Sequence, residues 1–129
     1  MKKLFLVFHV TALIVFLQLI MGGLFVFGYV VYRDHLFLGI GVAIMSIISL
    51  ITALFLAKPR SNSLTYPAVI MFALVVLQGA LGFSISHVPW LVMVHYTNAL
   101  IIFVLSIAMV FNAVKVSRIQ LVSPAVPPT

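Results

Sequence analysis

The hexapeptide LQLIMG at residues 17–22 recurs sixty positions later as LQGALG at residues 77–82. In each copy a histidine follows the glutamine by seventeen positions, so that Gln18 precedes His35 as Gln78 precedes His95. All four polar residues lie in strongly apolar surroundings. Polar side chains in a membrane are costly and tend to mark function. The repeat therefore predicts two pairs of equivalent groups arranged around one central object.

The correspondence continues beyond these motifs, because Ser46-Ile47 matches Ser106-Ile107 at the same offset and Ala53 matches Ala113. A polar segment, KPRSNS at residues 58–63, separates the two halves. We therefore divide residues 1–122 into two repeats, at about 4–57 and 66–116, and treat the proline-rich residues 123–129 as a short extended tail.

The composition is that of a membrane protein. Of the 129 residues 65% are hydrophobic and only 6% are charged, more apolar surface than a soluble chain of this size could bury. The absence of cysteine excludes disulfides and thiolate metal sites, and a single acid excludes a carboxylate dyad within one chain. The net charge of +6 does not indicate nucleic acid, because the basic residues flank apolar runs.

Four apolar segments, at roughly 4–25, 29–57, 67–85 and 89–116, each reach or approach the ~20 residues with which a helix crosses the hydrocarbon layer. The fold class expected is an all-α membrane protein, a four-transmembrane-helix bundle made of two parallel two-helix repeats. The first segment resembles a signal peptide, but no small-residue cleavage site follows it. We therefore expect it to remain in the protein as the first helix. Pro67 and Pro89 are expected in first helical turns, and a turn near Phe27-Gly28 would make helices two and four equally long.

The basic residues predict the orientation of the bundle. Arg33 would be the only basic residue on one side of the membrane, and six others would lie on the opposite side: Lys2, Lys3, Lys58, Arg60, Lys115 and Arg118. The positive-inside rule then places both termini in the cytoplasm of a cell whose plasma membrane holds the protein.

His35 and His95 are the candidate metal ligands. With a turn midway between each glutamine and its histidine, all four side chains lie at similar depth. Two neutral imidazoles facing each other across a four-helix bundle suit bis-histidine ligation of haem iron. Zinc and copper are less suited, because their sites need further protein ligands.

Neighbouring residues would complete the site. Gln18 and Gln78 are candidates for hydrogen bonds to the second nitrogen of each histidine, although they serve equally well as helix-packing residues. Gly39 and Ala99, one turn beyond the histidines, would make room for a macrocycle, and Arg33 would pair with a haem propionate. His9 reads as an interfacial residue, His87 as an outer-loop residue, and Asp34 as a solvated partner of Arg33.

The ordered set of LQLIMGG at 17–23, HLFLG at 35–39, LQGALG at 77–82 and HYTNAL at 95–100 resembles half of the haem A synthase family. Members usually consist of two similar four-helix bundles with a histidine pair in each, and half-length versions occur among archaea. The resemblance covers all four segments and implies that His35 and His95 contact haem. The family's catalytic glutamate would fall on Tyr32, its cysteine pair is absent, and the nearest acid is Asp34.

Three functions remain open at this point. The resemblance implies an enzyme that oxidises the methyl group of haem O to the formyl group of haem A, with Asp34 as the candidate catalytic residue and a homodimer restoring eight helices. A haem-b-binding electron-transfer or structural subunit of a respiratory complex is the alternative that the missing glutamate favours. A scaffold that uses glutamine and glycine only for helix packing is the third.

Overall fold

The computed structural model describes residues 2–56, 62–85, 87–88 and 90–122. Within these ranges the chain forms helices α1 (Lys2–Val26), α2 (Tyr32–Ile51), α3 (Asn62–Ser84) and α4 (Leu91–Val122), and α2 continues into a π-helical turn at Thr52–Leu56. All four helices are long and apolar enough to cross a membrane. The polar break at residues 58–61 and the tail at 123–129 lie outside the described residues, as do Pro89 and the side chains of Lys2 and Lys3.

The four helices form a ring in which each packs against its two neighbours. The contacting pairs are α1 with α2, α2 with α3, α3 with α4, and α4 with α1, whereas the backbones of the diagonal pairs do not contact each other within the described ranges. Consecutive helices therefore run antiparallel, and α2 and α4 are parallel and diagonally opposite. The predicted all-α four-helix bundle is confirmed. We call the end at which α1 and α3 finish and α2 and α4 begin the histidine end.

The sequence repeat is also a repeat of burial. Seven pairs of residues separated by sixty positions are buried in both copies. They are Phe8 with Ala68, Thr11 with Met71, Val15 with Val75, Val42 with Ile102, Ser46 with Ser106, Ser49 with Met109, and Ala53 with Ala113. Equivalent positions of the two halves thus face one shared core, as expected of parallel repeats related by an axis along the bundle.

The hydroxyls of four core residues form hydrogen bonds within the bundle, whereas the buried hydroxyl of Ser117 has no hydrogen-bond partner among the described residues. Ser46 donates to the carbonyl of Ala43 over 2.8 Å, and Ser106 donates to the carbonyl of Phe103 over 2.7 Å, the same local bond in each repeat. Thr11 and Ser49 share a hydrogen bond of 2.8 Å that joins α1 to α2. Interhelical hydrogen bonds of this kind contribute about 0.6 kcal/mol on average in a membrane protein, so they add modestly to packing.

The first turn lies where the repeat predicts it, but helix two begins later than expected. Gly28 adopts a positive φ of 78°, which a residue without Cβ tolerates. The chain then stays non-helical until Val31, whose extended backbone precedes the first residue of α2, Tyr32. Asp34 lies in the first turn of α2, where a negative charge is favourable. The prediction that helices two and four are equally long is wrong, because α2 with its π-helical turn is shorter than α4.

The sequence suggested that Pro67 lies in a first helical turn. In the structure it lies inside α3, which begins five residues earlier at Asn62. A proline inside a helix has no N–H to donate to the carbonyl four residues before it, here that of Ser63. The side-chain amide of Asn112 on α4 donates to this carbonyl over 2.8 Å. A neighbouring helix thus supplies the donor that the proline lacks, which is how membrane helices accommodate proline.

Candidate functional site

The repeated glutamines and histidines meet at one cavity. Gln18, His35, Gln78 and His95 all border a cavity of about 290 Å³ near the histidine end. Most of its other walls are apolar side chains from α1, α2, α4 and the segment that follows α3: Val15, Leu19, Phe25, Val26, Val42, Ile85, Val92, Ala99 and Ile102. The four repeated polar residues therefore share one cavity.

His35 and His95 approach each other across the middle of the bundle. They lie near the N-terminal ends of α2 and α4, the diagonally opposite helices, so both side chains reach inward from opposite sides. Their ring centroids are 6.4 Å apart and the ring planes are inclined by 61°. Each histidine is only partly buried by its neighbours, because the cavity lies between them.

Each histidine packs on the glycine of its repeated motif. A Cβ built on Gly22 would lie 3.3 Å from Cε1 of His35, and one on Gly82 would lie 3.4 Å from Cε1 of His95. In both cases Nδ1 would be 3.9 Å away. The repeat therefore places both imidazoles in the same relation to the preceding helix, and the glycines provide the space that the rings occupy.

The first repeat holds its histidine with the side chain of Gln18. The amide nitrogen of Gln18 lies 3.3 Å from both Nδ1 and Nε2 of His35. Phe25 stacks on the same imidazole, with centroids 5.9 Å apart and planes inclined by 8°. The amide oxygen of Gln18 is buried and has no hydrogen-bond partner among the described residues.

The second repeat uses its glutamine differently. The side-chain amide nitrogen of Asn98 donates to the side-chain oxygen of Gln78 over 2.7 Å and to the carbonyl of Leu74 over 2.9 Å. Asn98 is 5% exposed. The main chain of Gln78 faces the His95 ring, but no described group meets hydrogen-bond geometry with the buried Nδ1 of His95. The two histidines are thus equivalent in position and unequal in support.

Sequence reasoning did not assign a role to Asn98 or Tyr96. The hydroxyl of Tyr96 borders the cavity and donates to the carbonyl of Gly22 over 2.7 Å, which ties α4 to α1. A signal was present in each case, since both residues are polar in an apolar run and both interrupt the repeat. The counterpart of Tyr96 sixty residues earlier is Leu36, and that of Asn98 is Leu38.

The other predicted site residues are distributed unevenly. Ala99 borders the cavity. Gly39 instead packs against the side chain of Gln18, because a Cβ built on Gly39 would be 3.2 Å from the amide nitrogen of Gln18. Tyr32, which takes the position of the glutamate in the resembling family, is among the residues that border the cavity.

Arg33 and Asp34 do not border this cavity within the described part of the chain. Their closest polar atoms are 4.0 Å apart, and their side chains are 78% and 47% exposed. Asp34 instead lies beside a shallow depression between α1 and α2. His87 is exposed, and His9 bonds to the carbonyl of Phe5 at the opposite end of α1.

The donor set indicates what kind of metal the cavity fits. The described residues contain no group of three or more histidine, cysteine or acidic side chains near one another. Two imidazoles alone do not complete a protein-ligated zinc site. Metal–nitrogen bonds of about 2 Å leave room for one ion between rings at the observed spacing, provided that the ion brings its remaining ligands. Haem iron meets this condition.

The size of the cavity sets a further requirement. A volume of about 290 Å³ is near the lower end of ligand pockets. A macrocycle therefore needs the lining side chains to move apart, or part of its edge to lie outside the cavity. The apolar walls and the small side chain of Ala99 favour such an accommodation, whereas the histidine rings occupy the space beside Gly22 and Gly82.

Comparisons with protein-family models, with curated proteins and with solved structures give no match to this chain.

Proposed function

We propose that this chain is an integral membrane haem protein in which His35 and His95 are the two axial ligands. The observation that carries the proposal is the meeting of these imidazoles, 6.4 Å apart, inside one largely apolar cavity. The donor set supports it, because the described residues place no third histidine, cysteine or acidic side chain beside these two, and such a pair suits an ion held by a macrocycle. Haem b and haem O or A are the candidate cofactors.

One-electron transfer is the activity that the geometry supports best. A bound haem would supply the reversible change in iron oxidation state. The protein's part is to hold two neutral ligands, exclude water with apolar side chains and keep charges away from the iron. No carboxylate borders the cavity in the described ranges, and Asp34, the chain's single acid, lies beside a separate depression. This arrangement favours a haem-b-binding electron-transfer or structural subunit of a respiratory complex.

Oxidation of the haem O methyl group to the formyl of haem A is the second candidate. It is favoured by the resemblance to haem A synthases in all four helices and by Tyr32, which borders the cavity at the position of that family's glutamate. In this case haem is the substrate, and a homodimer would restore the eight helices usual in the family. Asp34 is the only side chain of the chain that offers a carboxylate to this reaction.

The bilayer is the environment of the four helices. As part of the proposal, both termini lie in the cytoplasm of a cell whose plasma membrane holds the protein, with Arg33 outside. Because the chain lacks cysteine, single substitutions Arg33→Cys and Lys115→Cys can be labelled selectively. A membrane-impermeant maleimide should label the first but not the second in intact cells. The reverse pattern would refute this orientation.

The experiment that separates the two activities is a visible spectrum of the purified protein followed by haem extraction. Haem b alone, with a low-spin spectrum, supports the electron-transfer function. Haem A formed on co-expression with a source of haem O supports the enzyme. Protein that carries no haem of any kind contradicts both.

A further inference from the structure

Two cations at the end of the bundle opposite the histidines have no counter-charge in the protein. The sequence contains seven basic residues and one acid, Asp34, whose carboxylate lies 4.0 Å from Arg33 at the histidine end. Lys115 and Arg118 lie near the other end, on α4. Both are exposed, and neither forms an ion pair or a side-chain hydrogen bond with a described residue. A counter-charge is therefore expected from the surroundings of the bundle.

Lys115 and Arg118 continue an exposed apolar stripe along α4. Residues of this stripe recur at intervals of three or four positions and so lie on one face of the helix. In chain order it consists of Leu100, Val104, Ile107 and Phe111, followed by Lys115 and Arg118. The side of α4 that faces the core is formed by other residues: Asn98, Ile102, Ser106, Met109 and Ala113. The two cations therefore lie on the face that a membrane-spanning bundle exposes to lipid.

The length of α4 places the two cations at the boundary of the membrane. At a rise of 1.5 Å per residue, Lys115 lies about 36 Å from Leu91, where α4 begins. The hydrocarbon layer is about 30 Å thick, and the head groups extend the bilayer to about 40–45 Å. Lys115 and Arg118 therefore lie at the depth of phospholipid head groups, whereas the apolar part of the stripe lies along the acyl chains.

We propose that this stripe, from Leu100 to Arg118, is a binding site for one anionic phospholipid. An acyl chain packs along the apolar side chains, and the phosphate lies between Lys115 and Arg118, which are neighbours on one helix face at a spacing of three residues. Hydrogen bonds from these cations to a phosphate are charge-assisted, and arginine can present two donors at once. The apolar approach to the cations favours a lipid over a soluble phosphate, and the site does not depend on haem.

The first repeat carries a similar stripe without this lysine. Sixty residues earlier the exposed face of α2 and its π-helical turn is apolar throughout: Ile40, Ile44, Ile47, Ile51 and Phe55. Phe55 takes the place of Lys115. Lys58 takes the place of Arg118 but lies outside the described residues. Two equivalent faces thus differ at the position where α4 becomes basic, and the proposal assigns the lipid to α4.

The test measures lipid binding to the purified full chain in detergent by native mass spectrometry. Phosphatidylglycerol and phosphatidylcholine with the same acyl chains are titrated separately, and phosphatidylglycerol should bind more tightly. Lys115→Gln and Arg118→Gln should each lower its affinity about fivefold, which corresponds to about 1 kcal/mol per basic residue near an anionic lipid surface. Lys115→Arg should keep the wild-type affinity. Arg33→Gln removes a charge at the histidine end and is the control, with no change expected.

The other possible sources of the anion give different results. Equal affinity of the wild type for both lipids would overturn the proposal, as would a loss in Arg33→Gln equal to that in Lys115→Gln. Glycerol phosphate has the head-group phosphate without acyl chains and should not displace phosphatidylglycerol; efficient displacement would assign the cations to a soluble phosphate. A wild type that retains neither lipid would also refute the site and leave the cations to an acidic protein partner. Circular dichroism confirms that the variants compared are equally helical.

Discussion

Gly22 lies against the imidazole of His35, so closely that a Cβ at this position would be 3.3 Å from Cε1 of the ring. Such a contact is tighter than most real Cβ contacts, and the ring must give way if a methyl group is added. The neighbouring glycine, Gly23, has open space around its hypothetical Cβ. Gly22 therefore leaves room for the imidazole of His35, the candidate ligand, whereas Gly23 does not contact it.

Gly22→Ala and Gly23→Ala form a matched pair. Alanine in place of glycine in a helix interior stabilises by about 0.5–1 kcal/mol, and Gly23→Ala should show this gain with unchanged haem content. In Gly22→Ala the added methyl group should displace the His35 ring and cancel this stabilisation. The variant should also bind less haem. The measurements are the free energy of unfolding in detergent and the ratio of haem to protein. Identical behaviour of the two variants would contradict the assigned contact.

Tyr96→Phe removes the hydroxyl that joins α4 to the carbonyl of Gly22. The loss should lower the free energy of unfolding by about 0.6 kcal/mol, the average for a hydrogen bond between membrane helices. Tyr66→Phe is the control, because Tyr66 is 64% exposed on α3. Denaturant titration of both variants would reveal the difference, and an equal loss in the control would argue against a specific role for the Tyr96 hydroxyl.

Asn112 and Pro67 should be energetically coupled. Asn112→Ala removes the amide that donates to the Ser63 carbonyl and should cost about 1 kcal/mol of unfolding free energy. In a Pro67→Ala background the restored N–H can bond to that carbonyl, so the same change should cost less. A double-mutant cycle with a coupling of at least about 0.5 kcal/mol would confirm this relationship. Strict additivity would disprove it.

Asp34→Asn separates haem binding from the enzyme hypothesis. Asp34 lies away from the cavity and its side chain is 47% exposed, so haem content and the visible spectrum should not change. The variant should also be tested for haem A by co-expression with a source of haem O. Haem A that is made by the wild type and lost in Asp34→Asn would show that this carboxylate acts in the oxidation. A lost haem spectrum would contradict the placement of Asp34.

The sixty-residue repeat predicted the features of the structure that occur once in each half of the chain. The offset of sixty between Gln18 and Gln78, and between His35 and His95, anticipated a single cavity bordered by all four. It also anticipated the turn at Phe27-Gly28, because a hairpin must place its turn between residues of equal depth.

Hydrogen bonds between neighbouring helices were not predictable in the same way. The contacts of Tyr96 with Gly22, of Asn98 with Gln78 and of Asn112 with Ser63 join residues of unrelated spacing. The last of these also explains why α3 continues through Pro67, since a partner from another helix replaces the missing backbone donor. Burial of a polar side chain is a signal that such a partner exists, but it does not identify the partner.

The most direct measurement of the central claim is the haem content and visible spectrum of the purified wild-type protein beside His35→Ala, His95→Ala and His9→Ala. We predict about one low-spin haem per wild-type chain, as two axial imidazoles on one iron require. His9→Ala should be unchanged, and each of the other two variants should lose the haem or its low-spin spectrum. A wild-type chain that takes up no haem when haem is supplied, or a low-spin spectrum that survives in both His35→Ala and His95→Ala, would contradict the account.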